Sequence, residues 1–309
     1  MARVKLYAPG YYKKFSCIAD KCPHSCCIGW EIDIDPDTMD KYETLREKYG
    51  EKIRQSIDAT DTPHFRLAEN ERCPHLDQHG LCRIISNLGE AYLCEICREH
   101  PRFYNDTIRG KEVGLGMACE EACRIILESD GYADMVVIGE ADCDPPDISF
   151  DATAHRERIY GILAQSPFPY SERLAQIQNE YNVHPNMLSD ETWRDLLASL
   201  EYLDEAHKRM FARYSSDLST PLQWECQLTR ALAYFLYRHG SSAQDPEEFR
   251  TALGLSLFCE RLLASLVKTV RVQDKKDIYR LARIISEEIE YSEENTDAIR
   301  LEFSFMGEE

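Results

Sequence analysis

The spacing of apolar and polar positions changes several times along this chain. Residues 31–35, Glu-Ile-Asp-Ile-Asp, alternate like a half-buried strand that ends at Pro36. Over residues 37–59 the period lengthens. Met39, Tyr42, Leu45, Tyr49 and Ile53 share one face, which predicts a helix. Short strands are expected at 65–67 and 81–84, around a turn at 77–80. A second helix is expected over 88–98, stopped by Pro101. Residues 107–113 suggest a tight hairpin at Arg109-Gly110, and Cys119 opens a helix through Leu127. Before residue 31, Pro and Gly predict a loop rather than a strand or long helix.

From residue 151 onward helical spacing dominates. Trp193, Leu196, Leu197, Leu200 and Leu203 form one stripe. Thr220-Pro-Leu-Gln223 reads as a capped helix start, and His239-Gly240 closes that helix. Asp245-Pro-Glu-Glu248 begins the next, with Leu255, Leu262 and Leu266 along its face. Ile278, Leu281, Ala282, Ile285 and Ile289 mark the last of five or six helices, before an acidic, frayed end over 287–309. The expected fold is mainly α, a small α+β cysteine-rich metal-binding module followed by a C-terminal helical bundle. The expected division is 1–150 and 151–309, at the acidic stretch around Asp144-Pro-Pro-Asp147.

Charge narrows the partners. The 36 Lys+Arg against 55 Asp+Glu give a net charge of −19 over 309 residues. Such a surface repels phosphate, so nucleic acid and anionic membrane are poor partners, whereas a cationic protein suits it. No apolar signal segment opens the chain and no apolar run is long enough to span a bilayer, so the expected location is the cytoplasm. Oligomeric state is left open, a homo-oligomer included.

Cysteine usage changes the picture most. Ten of the 13 cysteines lie between residues 17 and 123, eight of them at Cys17, Cys22, Cys26, Cys27, Cys73, Cys82, Cys94 and Cys97. An odd count in a reducing compartment argues against a disulfide framework. Zinc takes two C-x2-4-C pairs, and Cys94-x2-Cys97 has that spacing, with Cys119-x3-Cys123 a looser version. An iron–sulfur cluster takes four thiolates from loops far apart in sequence, and the adjacent Cys26 and Cys27 suit a polynuclear site better than a single ion. His24, His75, His79 and His100 keep mixed ligation open. Cys226 and Cys259, in apolar helical stretches, read as structural thiols, and Cys143 is undecided. Two signatures fail: Gly29 breaks C-x3-C-x2-C after Cys22, and Cys119 stands at the third glycine of a G-x-G-x-x-G begun at Gly114.

Phe15-x-Cys17-x4-Cys22-x3-Cys26-Cys27-x-Gly29-Trp30-x-Ile32 resembles the opening of the flagellin lysine N-methylase family. Cys73-Pro-x-Leu76, Gly80-Leu-Cys82-x-Ile84, Cys94-x2-Cys97-Arg98-x2-Pro101-Arg102 and Cys119-Glu120 extend the likeness. The family shares this part with small zinc- or iron-chelating proteins. The resemblance implies methyl transfer from S-adenosylmethionine to lysine ε-amines of flagellin, a 4Fe-4S cluster, and the eight cysteines above as its candidate ligands. Cys123 falls outside the family pattern. A lysine nucleophile must shed a proton, which Tyr11, Tyr104 or His100 could take, inside an aromatic slot that includes Tyr12. Trp30, Arg98 and Arg102 are the candidates for holding the donor, by cation–π contact and by bidentate binding of a carboxylate. The rival expectation is a non-catalytic zinc- or iron-binding interaction module.

Overall fold

The computed structural model describes residues 2–60, 62–143, 147–165, 167–217 and 222–304. The protein is mainly α with a small sheet, and it divides into two compact units. One is Ser16–Pro101; the other joins Met1–Phe15 to Arg102–Glu309. The strands among the described residues are β1 (Ala2–Pro9), β2 (Ile57–Asp58), β3 (His64–Phe65), β4 (Arg102–Thr107), β5 (Gly110–Leu115) and β6 (Met135–Cys143).

The smaller unit contains α1 (Pro36–Thr44), α2 (Lys48–Ser56), α3 (Arg83–Leu88) and α4 (Glu95–Glu99). Its core is Ile32, Ile34, Tyr42, Ile53, Phe65 and Ile84 with their neighbours. The alternation at 31–35 appears as burial, Ile32 and Ile34 inside and Glu31 and Asp33 outside. No regular strand forms there; Ile34 N–H donates to the Pro63 carbonyl at 2.7 Å and Phe65 N–H to the Ile32 carbonyl at 3.1 Å. The helix expected over 37–59 is two helices. Arg54 donates to the carbonyls of Tyr42 and Leu45, both at 2.8 Å, and so satisfies the end of α1 where the chain turns into α2. The strand expected at 81–84 is instead the start of α3, and the helix expected over 88–98 is broken at Gly89, whose φ is +92°.

In the larger unit the sheet order is β4-β5-β1-β6, with β1 parallel to β5 and antiparallel to β6. The opening residues are therefore a central strand rather than a loop; the Pro and Gly that argued for a loop fall at its end. β4 and β5 form the expected hairpin, Thr107 opposite Gly110. Only glycine serves at position 110: φ is +131°, and a Cβ would sit 2.6 Å from the Lys5 carbonyl oxygen of β1.

The larger unit also contains α5 (Glu120–Glu128), α6 (Ala152–Leu163), α7 (Tyr170–Tyr181), α8 (Asp190–Ser199) and α9 (Glu205–Phe211). They are followed by α10 (Glu225–Gly240), α11 (Pro246–Val270), α12 (Lys275–Ile285) and α13 (Glu293–Ser304). Asp245 caps α11 as expected, accepting from the N–H groups of Glu247 and Glu248 at 2.8 and 2.9 Å. α10 ends at Gly240, whereas Thr220 and Pro221 of its expected cap lie outside the described residues. In the α8 stripe Trp193 and Leu197 are buried, while Leu203 has left the helix and is exposed.

Two further expectations need correction. α5 packs on α10 and α12, and β6 pairs with β1, so a cut at 150 would pass through one continuous core. The proposed linker residues 144–146 lie outside the described residues. The end is not frayed over 287–304: a π-helical turn, Ser286–Glu290, buries its acids and leads into α13. Those acids have partners, which is why acidic composition misleads there.

Candidate metal centre

All eight expected cysteines from Cys17 to Cys97 fall in the smaller unit, and local backbone pairing gathers several of them. Cys73 N–H donates to the Cys27 carbonyl at 2.8 Å, beside the antiparallel bridge between Ile28 and Arg72. The turn at 77–80 is closed by Asp77, whose side chain accepts from the N–H groups of His79 (2.8 Å) and Leu81 (2.9 Å). That turn sets Leu76 opposite Cys82, and Cys82 then takes the N-cap position of α3. Cys94 takes the N-cap position of α4, with Cys97 in its first turn. The two sulfurs therefore meet at a helix start rather than along a helix face.

Asp35 holds this arrangement together. One carboxylate oxygen accepts from Thr38 N–H at 3.0 Å, capping α1, and the other from Glu95 N–H at 2.7 Å, at the start of α4. Burial pushes its carboxyl up, but these hydrogen bonds win and leave it below the ordinary range. Tyr42, fully buried, donates to the Tyr92 carbonyl at 2.6 Å and lies 3.7 Å from the Cys94 sulfur.

The thiols feel one another. A hydrogen bond with Cys26 is the main cause lowering Cys27 to about 7, with Ser25 and Arg72 assisting. Cys94 is lowered by its hydrogen bond with Cys97. Cys97 is pushed far up by that same bond, by burial and by the nearby Cys94, Cys27 and Cys73. Burial, with Cys27 and Cys82 adding to it, pushes Cys73 up to about 12; Cys82 is also raised, by burial, Cys27 and Cys94. Cys27, Cys73, Cys82, Cys94 and Cys97 thus form one electrostatically linked set. The donors are soft, partly desolvated and mutually repulsive once ionised, a state that a thiophilic cation relieves. Softness and partial desolvation are what a thiophilic metal selects, which makes these thiols the candidates for ligation. Cys26 joins through Cys27. The described contacts of Cys17 and Cys22 are with their own loop: Cys17 sulfur accepts from Ala19 N–H at 3.4 Å, and Cys22 donates to the His24 carbonyl at 2.9 Å.

Both ring nitrogens of His75 are engaged by hydroxyl groups. Its ring is buried, Nδ1 bonded to the Tyr49 hydroxyl at 2.8 Å and Nε2 to the Ser56 hydroxyl at 3.0 Å. Burial lowers it to about 4, so it stays neutral. His79 is exposed at the turn, beside Gln78. Trp30, Arg98 and His100 lie in the smaller unit; Trp30 and His100 are half-buried, and Arg98 is exposed with Nε 3.4 Å from Glu99.

Tyr11, Tyr104 and Arg102 belong to the larger unit. Tyr11 is buried in the core and burial raises its phenol, which stays protonated at neutral pH. Tyr104 is exposed on β4, with the Lys111 ammonium 5.9 Å from its ring centre. Arg102 donates to the Tyr12 hydroxyl at 2.9 Å and faces the rings of Tyr12 and Phe15. Cys119 is the N-cap of α5, and Cys123 is a buried structural thiol donating to the Tyr279 carbonyl at 3.3 Å. Cys259 is buried as expected, whereas Cys226 is exposed; the Cys143 side chain lies outside the described residues.

The group that has three ligand atoms close enough for one metal ion, among the described residues, contains no cysteine. His207, Glu287 and Glu288 each bring one ligand atom within 4.8 Å of the others. Glu288 accepts from Leu203 N–H at 2.8 Å and from His207 Nδ1 at 2.5 Å, and Glu287 pairs with Arg283 at 2.6 Å. These bonds make the group a structural clasp for the loop entering α9.

The fold is that of a mainly helical protein with a small sheet, eight of its cysteines lying in the smaller unit. Comparison with known proteins supports the flagellin lysine N-methylase family as its particular likeness. A protein named lysine-N-methylase from Salmonella typhimurium is 28% identical over 141 residues, covering 43% of this chain and 35% of that protein. The lysine-N-methylase of Salmonella choleraesuis gives the same figures. The flagellar biosynthetic protein FliU of Salmonella muenchen is also 28% identical over 141 residues, which are 83% of its length. The match thus spans about a third of the two methylases. No family model and no solved structure matches the chain. Among the described residues, no helix is long and apolar enough to cross a membrane.

Proposed function

We propose that this chain is a protein-lysine N-methyltransferase that methylates flagellin with S-adenosylmethionine as donor, in the cytoplasm, using a cysteine-ligated iron–sulfur cluster. The observation that carries the reading is the linked set Cys27, Cys73, Cys82, Cys94 and Cys97, in a chain whose named relatives are lysine methylases. Four of these thiols would hold a 4Fe-4S cluster, which supplies one-electron chemistry or a Lewis-acidic iron when bound. The chain's own residues do the rest. Asp35 and Tyr42 fix the start of α4, so that Cys94 and Cys97 are presented together. Within the smaller unit, Arg98 offers a guanidinium group to the donor's carboxylate and Trp30 a ring face to its sulfonium; Arg102, in the larger unit, is a separate candidate for the carboxylate. The lysine must lose a proton from an amine whose ordinary pKa is about 10.4. With Tyr11 locked in the core, His100 and Tyr104 are the remaining candidates to take it.

A second reading is favoured by the short extent of the match: a metal-held interaction module without catalysis. Anaerobic purification with iron, acid-labile sulfide and zinc quantified separates the two. About four irons and four sulfides per chain, with transfer of labelled methyl to flagellin, is the expected result. Stoichiometric zinc in a colourless protein would overturn the cluster and favour the module.

A further inference from the structure

Within the smaller unit a groove of about 790 Å³ opens between the start of α1, the start of α4 and the segment at 62–63. Its apolar surface includes Met39, Pro63 and Ile96, and Ile96 is 49% exposed on a helix of only five residues. Its polar surface is acidic: Asp33, Asp40 and Glu95 line it along with the capping Asp35, and no lysine or arginine does. Asp35 is spent on the two helix starts. Asp33, Asp40 and Glu95 are exposed and carry no salt bridge among the described residues. A trough combining aliphatic side chains with three unpaired carboxylates matches the lysine side chain, a four-carbon stem ending in an ammonium.

We propose that this groove docks an extended, lysine-bearing segment of the protein substrate, apolar stem along Met39, Pro63 and Ile96 and cationic end toward Asp33, Asp40 and Glu95. The inference deepens the methylase reading and rests on it for the identity of the substrate. Docking here is a recognition step before chemistry: the charges hold a protonated lysine, and neutral isosteres cannot.

The test uses the full chain and fluorescence anisotropy of a labelled flagellin peptide carrying one lysine, beside the same peptide with glutamine in its place. Combining Asp33→Asn, Asp40→Asn and Glu95→Gln should weaken lysine-peptide binding about tenfold and flatten its salt dependence. Ile96→Ser, which leaves every charge in place, should weaken it as well. In methyl transfer both variants should raise KM and leave kcat unchanged. Equal binding of the two peptides, or undiminished binding by the triple variant, would overturn the groove. Groove-dependent binding without any methyl transfer would overturn the methylase reading alone. Methyl transfer with KM unmoved by the triple variant would overturn the groove alone.

Discussion

A single carboxylate decides how Cys94 is presented. Asp35 caps two helix starts at once, so Asp35→Ala removes two acceptors and leaves Thr38 and Glu95 N–H groups without them. The expected cost is about 1–3 kcal/mol by urea denaturation. Asp35→Asn keeps one acceptor oxygen and should sit between. Sequence marked position 35 only as the end of an alternating run, because the second helix that it caps begins 60 residues later. Tyr42 was legible as a core position from its spacing; the direction of its hydroxyl toward Cys94 was not, since periodicity reports a face and not an atom. Glu260 is a residue-scale prediction of a different kind. Burial raises its carboxyl to about 7 from an ordinary 4.5, against the pull of Tyr170 and Arg261. Between those values the folded state binds more protons than the unfolded one, so stability falls as pH rises. Its contribution is complete below the unfolded value and is lost as pH passes the folded one. Glu260→Gln should therefore stabilise by about 3 kcal/mol near pH 8 and change little near pH 4, measured by denaturant melts across pH.

At the scale of elements, the sheet and the helices are joined by one buried ion pair. Arg156 of α6 meets Glu112 of β5 in a bidentate pair, at 2.6 and 2.9 Å, and both side chains are almost wholly buried. Glu112→Ala alone should cost about 3–5 kcal/mol, because it strands the guanidinium away from water. Glu112→Leu combined with Arg156→Met should recover most of that loss, and a double-mutant cycle by thermal melts reads the difference. Element type was legible where local chemistry decides it: the Asp245-Pro cap, the Arg109-Gly110 turn and Cys119 at a helix start all stand as expected. It was not legible where tertiary pairing decides. The opening strand needs β5 and β6 for partners, both more than 100 residues away. Residues 81–84 have strand-like composition, yet a turn and the N-cap position of Cys82 commit them to α3.

Across the whole molecule, each compact unit has its own apolar core, and they differ in what else holds them. The larger core runs through α5, α10, α11 and α12 and is closed by apolar side chains. The smaller one is built from short elements: two two-residue strands, helices of five to nine residues, and cysteines placed among the apolar side chains. On the proposed reading, a metal that ties the thiols would brace this unit of 86 residues with little regular structure. Cys73 and Cys94 are buried in this core, and a metal bound there would neutralise their charge when they ionise. Chelation under anaerobic conditions should then abolish protection of backbone amides in Ser16–Pro101 while leaving α10 and α11 protected, as read by hydrogen exchange. Readdition of iron and sulfide should restore the lost protection. If protection in both units survives complete metal removal, the thiols are ordinary core residues and the metal is bound at the surface of a unit already folded. The division at 150 drawn from composition would have hidden this contrast, since it assigns the sheet and α5 to the cysteine-rich part. What separates the parts is not acidity but which residues close each core.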